Sequence, residues 1–315
     1  MQLTSDRITG GRMNRAIITF VLLLCTIAGV HAETVLLSAA PGCSRSSLQT
    51  IADKYVEALK KGDPSIMPLA SDVRYIERRK EVPLGQGIWK TPVVVDFYRT
   101  LVDVDICETF TEVISAQNTP QYVTGTRLKV VDGKIAEIES LVSDKNDWLF
   151  NADNYLKYSS TENWAIIPPD KRSDRQTLIK VASDYFDIFT DYSAFPKVPW
   201  GVPCVRIEGG AYTNPNNDPN PSCTVGVPKG GGVPMTNRRY IVDLDLGAVV
   251  GQVDFGGEKG LWDAHTFRLE DGYFAALGRS IARHGPASPL YINRGRQSSS
   301  YSPAGTPPNA QASSM

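Results

Sequence analysis

"ADKYVEAL" (residues 52–59) and "ASDYFDIF" (residues 182–189) lie over each other nearly residue for residue, and that overlay decides the fold. Around the first, Leu48, Ile51, Ala52, Tyr55, Val56 and Leu59 recur at helical spacing before Gly62 and Pro64 stop the run. Around the second, Leu178, Val181, Ala182, Tyr185, Phe186 and Phe189 repeat the pattern. Both predict amphipathic helices with one buried face. A second echo follows each helix, "VRYIE" (73–77) against "CVRIE" (204–208). A third pairs "GTRLKVVDG" (125–133) with "DAHTFRLEDG" (263–272), each closing on an Asp-Gly turn. Three landmarks in one order, at offsets of about 130 to 140 residues, read as an internal duplication.

Each copy begins with a helix and continues as strands, which predicts an α+β architecture with helices packed on a curved antiparallel sheet. The first copy is expected over residues 43–160, with strands near 73–77, 108–116, 122–131 and 135–142. The second is expected over 173–284, interrupted at 209–237 by a Gly-, Pro- and Asn-rich stretch that reads as a long loop, either a lid over a pocket or an insertion. After Asp271-Gly272 the alternation fails, which predicts a poorly made last strand and an open sheet edge. From 285 to 315 the composition reads as a disordered tail.

Residues 1–32 read as a secretory signal peptide, with a basic region from Arg12, an apolar run from Ala16 to Val30 and a small-residue ending at Ala32. The apolar run is shorter than the roughly twenty residues a membrane span needs, so no span is expected after cleavage. The expected location is the secretory lumen or outside the cell. Cleavage leaves four cysteines in an oxidising compartment, with three possible pairings. Cys204 with Cys223 is favoured because it staples a loop of low order, and Cys43 with Cys107 follows by default.

The formal net charge of −1 comes with interleaved acidic and basic residues, and no Lys/Arg stripe marks a nucleic-acid partner. There is no GxSxG elbow, phosphate loop, dinucleotide GxGxxG or metal-ligand spacing. Cofactor-free and metal-free chemistry, or plain binding, is the expectation.

Strand parity then selects candidate residues. His265 shares a face with Phe267 and Leu269, facing inward, where the first copy has Thr126. Arg206 and Glu208 share a face and match Tyr75 and Glu77. Tyr185 and Tyr55 hold the same helix position. Trp89 is either a wall of a cavity or a plug beneath it. Asp243 and Asp245 share a strand face that suits a hydrated outer surface or, as the rarer case, paired acids.

The phrases "ADKYVEAL", "PLGQGIW" (83–89), "RLKVVDGKIAEIESLV" (127–142) and "DAHTFRLEDG" resemble a family of secreted or lumenal fungal proteins with bacterial relatives. Its members carry two tandem domains similar to the nuclear transport factor 2-like (SnoaL-like) cone, and the resemblance covers residues 43–275. It implies two cone-like units, each enclosing a pocket. Some members look like hetero-Diels-Alderases that join a tropolone quinone methide to a terpene alkene. The resemblance therefore implies a cofactor-independent cyclase acting on a small apolar or aromatic natural product, with an isomerase, a dehydratase or a secreted binding protein as alternatives. His265, protonated, would be the acid, with Arg206 or Tyr185 holding a ring oxygen. Tyr75, Glu208, Phe267 and Trp89 would contact substrate. A homodimer is compatible with this reading.

Overall fold

Helix α1 (Arg45–Lys61) starts where the Ser44 side chain accepts from the Ser47 N–H, and ends where Gly62 turns left-handed. The strands that follow are β1 (Leu69–Glu77), β2 (Lys80–Glu81), β3 (Phe97–Asp103), β4 (Glu108–Ser115), β5 (Tyr122–Val131) and β6 (Lys134–Ser143). A short helix α2 (Ala152–Ser159) leads into α3 (Arg175–Thr190), capped by the Asp174 carboxylate. Then come β7 (Val205–Glu208), β8 (Ala211–Tyr212), β9 (Met235–Asp243), β10 (Ala248–Phe255), β11 (Leu261–Glu270) and β12 (Tyr273–Ala282). The computed structural model describes residues 43–282 apart from 225, 226 and 228, with 275–282 described through their backbone. The expected signal peptide at 1–32 and the tail at 285–315 lie outside the described residues.

The strands form two six-stranded sheets of matching order, β2-β1-β6-β5-β4-β3 and β8-β7-β12-β11-β10-β9. In both, the first long strand runs parallel to the last and the other pairs are antiparallel. The α+β expectation holds. The four strands expected in the first copy are present, within a few residues at their ends, and β3 and α2 add to them. The expectation of a poorly made last strand is corrected, because β12 pairs along its length with β11 and also with β7. Backbone hydrogen bonding to two neighbours holds that strand without strict alternation. The stretch 209–237 is not wholly loop either, since it contains β8 and the start of β9.

Period-two alternation gives each sheet two apolar faces. One face packs on its own helix. In the first half Leu48, Tyr55 and Leu59 of α1 meet Val113, Leu128 and Ile138. In the second half Leu178, Phe186 and Phe189 of α3 meet Val249, Phe267 and Leu269. The other faces of the two sheets pack on each other, with Phe110, Ile114 and Leu141 against Ile241, Val250 and Trp262, and Tyr155 of α2 in the same cluster. The layers therefore run helix, sheet, sheet, helix.

A reciprocal pair of buried carboxylates fixes this stacking. Asp103, at the end of β3, accepts from Arg175 at 2.7 and 2.9 Å and from the Val242 N–H at 2.7 Å. Asp243, at the end of β9, accepts from Arg45 at 2.7 and 2.9 Å and from the Val102 N–H at 3.0 Å. Each half lends the other one aspartate and one arginine, both arginines standing first in their helices. Both carboxylates are completely buried. The hydrated outer face expected for Asp243 is thus corrected; its partner half supplies the hydrogen bonds that water would otherwise make.

Two disulfides form, Cys43–Cys107 and Cys204–Cys223, with sequence separations of 64 and 19. Both favoured pairings are present and suit an oxidising compartment. No helix among the described residues is long and apolar enough to cross a membrane.

Removing one aspartate leaves a buried backbone N–H unpaired and takes the main partner from a partly exposed guanidinium, so Asp103→Ala or Asp243→Ala is expected to cost about 2–3 kcal/mol. Asp72→Ala, on the exposed part of β1, is expected to stay within about 0.5 kcal/mol. Urea unfolding of the three variants checks this, and equal midpoints would sink the clamp. Replacing Cys204 and Cys223 together by Ser is expected to cost about 3 kcal/mol and the Cys43/Cys107 pair about 4 kcal/mol, read from the same curves.

Candidate functional site

The helix-facing side of the second sheet gathers the titratable groups. His265 lies on β11, opposite Gly251 of β10. A Cβ at Gly251 would stand 2.5 Å from the Phe186 ring, so only glycine lets that ring settle on the sheet beside the imidazole. Phe186 then stands edge-on to His265 at 5.5 Å, Tyr185 lies tilted against it at 5.6 Å, and Phe267 stacks on it at 6.0 Å. Trp200 closes the aromatic wall, edge-on to Tyr185 at 6.2 Å.

Arg206, on β7, brings its guanidinium to the same place and donates to the Tyr185 hydroxyl at 3.3 Å. Its Nη1 is 3.5 Å from the Glu208 carboxylate. Glu208 is half-buried and also accepts from the Trp148 indole at 3.0 Å. Arg206 itself is only 6% exposed, so the pair is no surface ion pair. Trp148 comes from the segment between the halves, which docks closely: a Cβ at Gly209, whose φ is +58°, would stand 2.2 Å from the Trp148 carbonyl oxygen.

Asp263 is the residue that sequence reasoning missed. It lies two positions before His265 on the same strand face, buried, with Oδ2 3.3 Å from the imidazole Nδ1. The line of approach is poor for a hydrogen bond. A carboxylate there still favours the tautomer with its proton on Nδ1, which leaves Nε2 as the basic nitrogen. The signal was available, because strand parity applied to His265 selects position 263 as directly as it selects 267.

Burial holds the imidazole pKa down at about 4, with Arg206 acting in the same direction and Glu208 against it. His265 is therefore neutral at neutral pH, and the expectation of a protonated acid is corrected by desolvation. The Tyr185 phenol is pushed up, mainly by burial.

Tyr75 and Trp89 do not join this cluster. They belong to the corresponding side of the first sheet, where Trp89 stands edge-on to Tyr55 at 5.8 Å and to Tyr75 at 6.3 Å. There the place of His265 is taken by Thr126, which accepts from the Tyr55 hydroxyl at 2.7 Å and donates to Ser140 at 2.9 Å. Thr124 occupies the place of Asp263, and Tyr75 that of Arg206. Parity and repeat pairing locate equivalent positions but not which half holds them, so Tyr75 and Trp89 were grouped with residues of the other sheet.

The buried histidine makes stability depend on pH. Its folded pKa of about 4 lies below the ordinary 6.5. Stability is therefore full above pH 6.5 and lost as pH falls towards 4, because the unfolded chain takes up a proton that the folded one refuses. The expected loss is about 3 kcal/mol. Unfolding curves at pH 7.5 and 4.5 check this, and His265→Gln should lack this share of the acid sensitivity. A variant that keeps all of it would disprove the assignment.

A family model for a domain of unknown function (DUF8021) matches residues 171–277, the stretch that holds Tyr185, Arg206, Glu208, Asp263, His265 and Phe267. No curated protein matches the chain at a significant level. Among solved structures, AclR from Streptomyces galilaeus matches at 15% identity over 32% of this chain and 82% of that one. Its TM-score of 0.23 is too low to bear on fold or chemistry.

Proposed function

We propose that each half is a cone-like unit whose helix and curved sheet enclose a pocket, and that the second half is a cofactor-independent enzyme working by proton transfer. The observation that carries this reading is the neutral His265 set against Asp263, with Arg206 and the Tyr185 hydroxyl beside it. A neutral imidazole is a base. A guanidinium and a phenol next to it suit an oxygen that becomes negative when its proton, or one on the carbon beside it, is removed.

On a ring bearing a hydroxyl and a neighbouring hydroxymethyl group, the chemistry balances with no added reagent. His265 Nε2 takes the ring hydroxyl proton, and Arg206 and Tyr185 hold the oxyanion. The resulting imidazolium returns that proton to the departing hydroxyl, so water leaves and a quinone methide remains. An alkene partner seated on the aromatic wall of Phe186, Phe267 and Trp200 then closes a ring by cycloaddition, for which the protein supplies orientation. This is the cyclase, or hetero-Diels-Alderase, chemistry of secondary metabolism that the resemblance implies, with His265 as base first and acid second. The same groups serve an isomerase or a dehydratase when no alkene follows. The near-complete burial of His265, 4% exposed, favours as second reading a secreted protein that binds a small aromatic molecule without turning it over.

Deletion of the gene in the producing organism, followed by restoration as wild type or as His265→Gln, separates the readings. Wild type is expected to consume a precursor that the deletion accumulates, with the variant slower by roughly 10²–10⁴-fold. The purified enzyme should hold kcat/KM level from pH 8 to 5 and lose it below about 4, as His265 takes up a proton. Identical metabolite profiles in all strains would remove the enzyme reading and leave binding.

A further inference from the structure

Glu208 has a counterpart in the first half, and the two carboxylates are held differently. Glu77 accepts from the Tyr75 hydroxyl at 2.5 Å and from the Ile88 N–H at 2.8 Å, both donors of its own half. Glu208 accepts at Oε1 from the Trp148 indole at 3.0 Å, and its Oε2 stands 3.5 Å from Arg206 Nη1. Trp148 follows β6, the last strand of the first sheet, so the second half takes this donor from the other copy.

The segment that brings Trp148 is tied at both ends. On the first-half side the Asp144 carboxylate accepts from Arg78 at 2.9 Å, and the Asp144 N–H donates to the Asp147 carboxylate at 2.8 Å. On the second-half side the Asn151 N–H donates to the Gly209 carbonyl at 2.7 Å. The turn between β7 and β8 is shaped for this contact. Gly209 and Gly210 have φ of +58° and +129°, and a Cβ at Gly210 would stand 2.6 Å from the Asn151 carbonyl oxygen. Glycine at both positions lets the segment lie on the turn with its indole against Glu208.

From Trp148 the contacts run inward. Glu208 faces Arg206, Arg206 donates to the Tyr185 hydroxyl at 3.3 Å, and the Tyr185 ring lies 5.6 Å from that of His265. A guanidinium is a planar fork of donors, so its direction depends on which acceptors around it are fixed. Glu208 is partly exposed, and without the indole its carboxylate is free to turn to water.

We propose that Trp148 is a positioning residue for the His265 site: the first half, through this indole, holds Glu208 and so sets the Arg206 guanidinium against the Tyr185 hydroxyl. This role rests on the reading of the His265 cluster as the reaction site, and it makes that site a product of both halves. It also shows in the charge balance. The described titratable and charged side chains around the imidazole are Tyr185, Arg206, Glu208 and Asp263. Glu208 favours the imidazolium and Arg206 disfavours it. Releasing Glu208 to water leaves Arg206 less opposed, and the imidazole becomes harder to protonate.

The test follows the His265 imidazole by NMR in the full chain carrying ¹³C-labelled histidine, the resonance being identified by its loss in His265→Gln. Wild type should be about half protonated at pH 4. Trp148→Phe keeps a ring in place and removes the N–H donor, and it should cut the protonated fraction at that pH to about a fifth. Glu208→Gln should cut it at least as far. Trp164→Phe removes another indole donor of the connecting segment, bonded to Glu162 at 2.8 Å, and should leave His265 as in wild type. In the restored deletion strain, Trp148→Phe should slow precursor consumption about tenfold, as expected for loss of one hydrogen bond. An unchanged His265 titration in Trp148→Phe, or the same shift in Trp164→Phe, would overturn the positioning role. So would wild-type consumption by Trp148→Phe where His265→Gln has lost it. Full consumption by His265→Gln would instead overturn the enzyme reading on which the role rests.

Discussion

Asp103 and Asp243 each lie wholly buried at the end of a strand and hold the first arginine of the opposite half's helix together with a backbone N–H of its edge strand. A bidentate guanidinium–carboxylate pair has a fixed plane and little angular freedom, so two of them related by exchange of halves define both distance and rotation. Desolvating such groups consumes much of what their attraction contributes, and their main effect is to specify one arrangement over others. The arrangement so specified stacks the two sheets through their outer faces. Each remaining face is then left to its own helix, which makes two helix-bearing outer layers.

Those layers share a scaffold and differ in what it presents. Along one row of the first sheet stand Thr100, Thr111 and Thr126, directly opposite one another on three adjacent strands. The corresponding row of the second sheet is Tyr240, Gly251 and His265. Short hydroxyls can satisfy one another within the sheet plane, as Thr100 does with Thr111 at 3.0 Å. A glycine next to an imidazole creates room, which Phe186 enters from the helix. With Asp263 for Thr124 and Arg206 for Tyr75, the second layer becomes a set of mutually dependent ionisable groups under an aromatic cover.

The helices, the long strands and the second copy's parallel to the first were legible because alternation and helical spacing survive in the residues themselves. Leu128 and Phe267, or Tyr55 and Tyr185, sit where the pattern puts them. The clamp was less legible, although "LVDVDI" (101–106) and "IVDLDL" (241–246) repeat it in plain view. An aspartate flanked by apolar residues at a strand end looks solvated when a single half is considered. Only the partner half supplies the arginine that makes its burial tolerable, Arg45 for Asp243 at a separation of 198 residues and Arg175 for Asp103 at 72. β12 was misjudged for a related reason, since its central place comes from pairing with β7 and not from its own pattern. His265 was placed correctly, but its charge was not, because protonation state depends on how many neighbours exclude water.

That last point sets the direction of the proposed chemistry. An exposed histidine two residues from an aspartate would titrate near its ordinary value and could serve as acid or base. Here Tyr185, Phe186 and Phe267 close three sides of the ring, and the nearby Arg206 guanidinium further disfavours a second cation. Glu208 opposes this but does not restore the lost hydration. The neutral imidazole is thus a product of packing as much as of residue type. Near neutral pH it stays uncharged, and under the proposed function a bound hydroxyl would give it a proton and leave an oxyanion beside Arg206.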